Sequence, residues 1–171
     1  INRKNNIAII WENENRNVRK LTYKELFEEV NKFANALKEL GIKKGDRIGI
    51  YMPMVPEIVV AFLGAMKIGA ISIPIFSGFG GHALAQRLDI AGAKVLISAD
   101  GSERRGKTVE IKKEVDKAID TVSAIEHIIV YKNLGIDTPM KDSRDIWWED
   151  IVPKQSDKYK TEQMDSEDNA M

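Results

Sequence analysis

Cysteine is absent from all 171 residues, and histidine occurs only twice, at His82 and His127. No disulfide, iron–sulfur cluster, thiolate zinc site or catalytic thiol can therefore form. Two histidines are too few for a multi-histidine metal centre. Surplus charge is also missing: 26 Lys+Arg balance 26 Asp+Glu, for a formal net charge of zero. A general nucleic-acid binder draws its affinity from surplus positive charge, so that class is disfavoured. The chain opens at Ile1 rather than Met, without a basic-then-apolar leader, so an intact translation start is not expected. The most apolar stretch, Met54 to Phe76, has the length of a membrane span, but Pro56, Glu57, Lys67, Pro74 and the glycines Gly64 and Gly69 interrupt it. A helix followed by a buried strand is expected there, with no membrane span. A reducing, cytoplasmic location fits these absences.

What is present is a core. Apolar residues make up 43% of the chain, too many for a disordered one, and the length is that of one domain or one and part of another. Ile7–Trp11 reads as a short strand, followed by a polar loop over Asn13–Lys20. Thr22 and Glu25 form a capping box. Leu26, Val30, Phe33, Leu37 and Leu40 then recur at helical spacing, and Gly41 supplies a stop. Further strands are expected at Arg47–Met52, Ala70–Phe76, Lys94–Ser98 and His127–Tyr131. Helices are expected at Glu57–Ile68 (apolar all round, hence buried), His82–Ala91, Thr108–Ile119 and Asp142–Ile151. Pro74 marks a sheet edge or strand end. Ala99–Lys107 reads as a polar loop, and from Pro153 onward the chain is polar, a linker or surface segment. Strands alternating with helices predict an α/β layered fold around a mostly parallel sheet with right-handed crossovers.

No complete catalytic set appears. The phosphate loop G-x-x-x-x-G-K-[ST], the nucleophile elbow G-x-S-x-G and the zinc helix H-E-x-x-H are all missing. Glu28–Glu29 reads as a solvated helix flank, His127 as a packed strand residue and His82 as a surface position. Two loops after strands are candidates. Ser77-Gly78-Phe79-Gly80-Gly81 would let a ligand approach backbone N–H groups beside a helix start, although a plain strand-to-helix turn explains it as well. Asp100–Thr108 crowds Arg104, Arg105 and Lys107 around Gly106, either a phosphate cradle or a solvated basic loop. Both lie at the carboxyl ends of expected strands, where parallel α/β sheets bind ligands.

Longer runs carry a resemblance. IAIIWEN, LTYKELFEEVNKFANALKELGIKKGDRIGIYMPMVPEIVVAFLGAMKIGAISIPIFSGF, ISADG and IWWEDIV resemble, in order and spacing, the N-terminal part of the AMP-forming acyl-CoA synthetases, above all the acetyl-CoA and propionyl-CoA members. The resemblance implies a partial N-terminal domain over residues 1–152, an incomplete subdomain of the layered α/β fold. It implies a polar linker over residues 153–171 leading to an ATP phosphate loop not contained here. The implied reaction joins acetate or another short-chain carboxylate, ATP and CoA to acyl-CoA, AMP and pyrophosphate, with Mg²⁺. The family's G-G-F segment along the CoA channel reads here Ser77-Gly78-Phe79, so Gly78 matches and Ser77 departs. Its R-A-G-R segment, which holds phosphates of the CoA nucleotide, reads Arg104-Arg105-Gly106-Lys107. Arg104 and Gly106 match, Lys107 keeps charge but loses the planar fork, and Arg105 stands in for an alanine. No catalytic residue and no metal ligand is implied for this chain, which is expected to be inactive alone, with an exposed sheet edge and an uncovered apolar face. Two alternatives stay open: a related adenylation domain with a carrier-protein acceptor, and a non-catalytic α/β binding module.

Overall fold

The computed structural model describes residues 2–170. Its centre is a five-stranded sheet built from β3 (Arg47–Ile50), β4 (Ile71–Pro74), β5 (Val95–Ala99), β8 (His127–Tyr131) and β9 (Asp145–Trp147), in the order β4-β3-β5-β8-β9. Every neighbouring pair is parallel. Pro74 therefore lies on an edge strand, where its missing N–H breaks no ladder.

The central strands are apolar on both sides because helices cover both faces. Val95, Ile97 and Ile129 point toward α1 (Tyr23–Glu39) and α2 (Pro56–Lys67), packing with Phe33, Leu37, Val60 and Ala61. Leu96, Ile128 and Val130 point the other way, toward α3 (Gly81–Ala91) and α4 (Ile111–Ile119), packing with Leu84, Leu88, Ile111 and Val115. The alternation of residue numbers between the two cores is the period of two expected of strands. On the first face, Phe33 is stacked on Trp148 at 4.5 Å.

Local chemistry sets the element ends. The Thr22 hydroxyl accepts from the Glu25 N–H while the Glu25 carboxylate accepts from the Thr22 N–H, so the expected capping box starts α1. Pro56 occupies the first turn of α2. Gly92 ends α3 in the left-handed conformation.

Four expectations are corrected. The polar loop at 13–20 is shorter, because Val18–Thr22 forms β2 and pairs antiparallel with β1 (Ile7–Glu12). The loop at 99–107 contains a second hairpin, β6 (Ser102–Arg104) and β7 (Lys107–Val109), so α4 begins at Ile111 instead of Thr108. The expected helix over 142–151 is a strand, β9, followed by the short α5 (Trp148–Ile151), because parallel pairing to β8 captures Asp145–Trp147. Helix α2 is not buried all round: Leu63 and Met66 are exposed and, with Phe27 and Tyr23 of α1, they form an open apolar groove.

The polar segment after Pro153 has no regular secondary structure and lies along α1 and α2. Asn31 and Asn35 donate to the backbone carbonyls of Asp157, Ser156 and Lys158. The Ser72 N–H on the edge strand donates to the Ala170 carbonyl.

Candidate functional site

A parallel sheet presents the C-terminal ends of its strands, and the loops leaving them, on one edge. Here that edge carries a cavity of about 380 Å³. It is lined by Pro53–Val55 after β3, Phe76 and Ser77 after β4, Ser102–Arg104 after β5, and Asn133 and Leu134 after β8. The turn of the first hairpin, Trp11 to Glu14, closes one side. The Trp11 indole N–H ties that hairpin down by donating to the Met54 carbonyl at 2.6 Å. Arg19 of β2 adds an ion pair to Glu57 at 2.7 Å.

Asp100 organises two of these loops. It is 1% exposed. Its carboxylate accepts backbone N–H bonds from Gly101, Asn133, Leu134, Gly135 and Ile136, at 2.6 to 3.2 Å. Two oxygens thus hold the whole turn after β8, and the Asn133 amide returns a bond to the Gly101 carbonyl at 3.0 Å. An anionic acceptor suits several converging N–H donors because charge-assisted bonds are the stronger kind.

The basic residues sit on the second hairpin. Arg104 and Lys107 are directly paired across it, so they share one face of the ribbon. Arg105 and Gly106 form the two-residue turn with φ of 53° and 69°. Positive φ at both positions is the signature of a type I′ turn, favourable for Gly106 and costly for Arg105. Arg104 lines the cavity and its guanidinium lies 5.7 Å from the centre of the Phe76 ring, within cation–π range. A Cβ at Gly78 would overlap the Phe76 ring and come within 3.1 Å of Arg104 Nη1. The structure therefore brings Gly78 and Arg104 together. Arg105 and Lys107 stand at the hairpin tip, outside the cavity wall.

The helix starts expected to help an anion are otherwise engaged. At α3 the Gly81 N–H donates to the Glu114 carboxylate at 2.9 Å. Near the start of α4 the Lys112 N–H donates to the Asp100 carbonyl at 3.2 Å. The glycine-rich loop is stiffened by aromatic contacts instead. Phe76 and Phe79 meet edge to face at 5.6 Å, Arg87 lies over Phe79, and the Tyr51 hydroxyl donates to the Phe79 carbonyl. Burial, with a smaller contribution from Glu114, raises the Tyr51 hydroxyl above its usual range, so it stays a donor.

Sequence reading missed Glu14, Phe76, Asp100 and Asn133. Asp100-Gly101 directly after a strand was a usable turn signal; the other three gave none. Among the described residues no group of three or more His, Asp or Glu is placed to hold a metal ion. No helix among them is long and apolar enough to cross a membrane.

A sequence model of the AMP-binding enzyme family matches residues 2–171. The chain belongs to that family. It is 45% identical over 167 residues to an acetyl-coenzyme A synthetase of Methanothrix soehngenii, covering 96% of this chain and 25% of that protein. It is 49% identical over 152 residues to a 3-hydroxypropionyl-coenzyme A synthetase of Sulfurisphaera tokodaii, covering 87% and 23%. Among solved structures, acetoacetyl-CoA synthetase from Streptomyces lividans superposes with a TM-score of 0.85 at 24% identity, over 95% of this chain and 24% of that one. At that identity the likeness supports the fold alone. The chain spans about a quarter of the length of the curated relatives it matches.

Proposed function

We propose that the protein containing this chain is an acid–CoA ligase of the cytoplasm that converts acetate or another short-chain carboxylate, ATP and CoA to acyl-CoA, AMP and pyrophosphate. In this reading the 171 residues supply part of the CoA site and are inactive alone, while the ATP and Mg²⁺ contacts come from other parts of the protein. Gly78, Arg104, Arg105, Gly106 and Lys107 are the CoA-binding residues.

The observation that carries the reading is the placement of the Arg104 guanidinium, packed beside Gly78, on the wall of a cavity made by loops following four parallel strands. A free CoA carries a 3′-phosphate on its nucleotide. Arg104 and Lys107, on one face of a ribbon, offer a planar fork and a point charge to such a group. Gly78 lets the Phe76 ring and the Arg104 guanidinium pack directly on its backbone, and any side chain there would push the arginine out of place.

Steady-state kinetics on the complete protein test this. Carboxylate-dependent exchange between pyrophosphate and ATP reports adenylate formation, and CoA-dependent AMP release reports the second step. Arg104→Ala is expected to raise the KM for CoA about tenfold or more, the loss of a charge-assisted contact, and to leave the exchange rate intact. An unchanged KM for CoA would remove Arg104 from the site. Absence of exchange with every short-chain carboxylate would remove the ligase reading.

A further inference from the structure

We infer that Glu14 is a positioning residue that clamps the turn of the basic hairpin and so aims Arg104 and Lys107 at an incoming phosphate; this rests on the CoA reading above. The Glu14 carboxylate spans both turn amides, accepting from the Arg105 N–H at 2.8 Å and from the Gly106 N–H at 3.0 Å. These are the two central residues of the turn, and φ is positive at both. Arg105 is held in a backbone conformation that costs a non-glycine residue free energy, and the Glu14 bonds are made only in that conformation. The two N–H groups point the same way out of the turn, which is the arrangement that captures an anion.

Glu14 is itself mounted on a braced loop. Between β1 and β2, the Asn17 N–H donates to the Asn13 side chain at 2.8 Å, the Asn13 N–H to the Asn17 carbonyl, and the Arg16 N–H to the Asn13 carbonyl. Next to it, the Asn15 amide donates to Glu103 at 2.6 Å. It is the two Glu14 bonds to the turn amides that dock the tips of the hairpins, 91 residues apart along the chain, on each other. The Trp11–Met54 bond then fixes the first hairpin to the loop after β3. The path from the sheet through Trp11 and Glu14 to the turn ends at the residue pair Arg104 and Lys107, which flank the turn in register.

The arrangement has an unusual electrostatic consequence. Glu14 puts a negative charge beside Arg104 and Arg105. On net charge alone, neutralising it would tighten the grip on a phosphate. A clamp does the opposite: without it the turn loosens, the two cations lose a common direction, and the ordering cost falls on the ligand. The sign of the effect separates the two accounts. Because both turn amides are already taken by Glu14, the phosphate is held by side chains rather than by the turn backbone.

The test uses Glu14→Gln and, as a control, Asn15→Ala in the complete protein. Titration calorimetry with CoA and with dephospho-CoA gives an affinity ratio that reports the 3′-phosphate alone. Glu14→Gln is expected to lower that ratio about fivefold to tenfold, whereas Asn15→Ala keeps it. Amide hydrogen exchange at Arg105 and Gly106 adds a reading that needs no ligand: protected in the parent protein, and released by Glu14→Gln. A ratio that rises or stays level in Glu14→Gln, or an equal fall in Asn15→Ala, overturns the positioning role while leaving the CoA site standing. Failure of the parent protein to prefer CoA over dephospho-CoA overturns the CoA reading, and the role of Glu14 falls with it.

Discussion

Replacing Asp100 should undo the site from beneath. Its buried carboxylate accepts from five backbone N–H groups, four of them in the single turn 133–136. Hydrogen bonds to a charged group contribute about 1.5–3 kcal/mol each, and bonds sharing one oxygen do not add. Counting one full contribution per oxygen puts Asp100→Ala at a loss of about 3–6 kcal/mol. Asp100→Asn keeps one acceptor oxygen, gives up the charge and points an amide donor at N–H groups, so about half of that, ~1.5–3 kcal/mol, is expected. With a urea m-value of about 2 kcal/mol per molar, the asparagine variant should unfold at a midpoint lower by roughly 0.75–1.5 M. Amides of Asn133 to Ile136 should lose exchange protection before those of the core strands β5 and β8. An asparagine variant within about 0.5 kcal/mol of the parent, the range of ordinary surface changes, would refute the idea that this carboxylate holds the turn.

Three further outcomes follow from the packing. Phe33→Ala removes a fully buried ring stacked on Trp148 and should cost about 3–5 kcal/mol in the same unfolding assay. Gly64→Ala should gain about 1 kcal/mol of helix propensity yet come out destabilised by roughly 1–2 kcal/mol net, because the new methyl would stand 2.7 Å from Phe33 Cδ1, whose ring has no room to move. Burial raises the Asp145 carboxyl, but hydrogen bonds from Arg144, Lys112 and the Lys141 N–H outweigh it, and the group is held below its ordinary range. A depressed folded value contributes stability above the unfolded pKa of about 3.9 and loses it as pH falls through the folded value. The stability gap between the parent and Asp145→Asn should therefore be full at neutral pH and shrink on acidification below about pH 4; a gap that does not change with pH would count against this assignment.

The elements legible in the sequence are those whose local chemistry and packing agree. Helix α1 has a capping box and an apolar stripe that the core then uses, with Phe33 and Leu37 both fully buried. The strands β3, β5 and β8 are short apolar runs because helices cover both their faces. The hairpins were hidden for the opposite reason. Three of the five β2 residues are exposed, and β6 and β7 have three residues each with no apolar alternation, so neither ribbon buries enough to imprint a period. At 145–147 the apolar pattern allowed either state, and pairing with β8 decided for strand.

The candidate site shows the same division. Gly78 and the Arg104–Lys107 cluster were visible as residue types in loops after strands, and the structure sets Gly78 beside Arg104. What the sequence could not display is the support. Glu14 and the turn it grips are 91 residues apart. Asp100 and the turn it closes are separated by 33 to 36 residues. Such contacts leave no periodic trace, since each joins a single side chain to backbone amides whose residue types hardly matter.

In the proposed site the loops at the carboxyl edge of the sheet, with Arg104 packed beside Gly78, hold the nucleotide phosphate of CoA. Mapping of backbone amide shifts during titration with adenosine 3′,5′-bisphosphate tests it most directly. Changes should be concentrated at Gly78 and Arg104 to Lys107, with none at Gly45 and Gly92 at the opposite edge. Changes centred on the apolar groove of Phe27 and Leu63, or spread evenly over the surface, would contradict it.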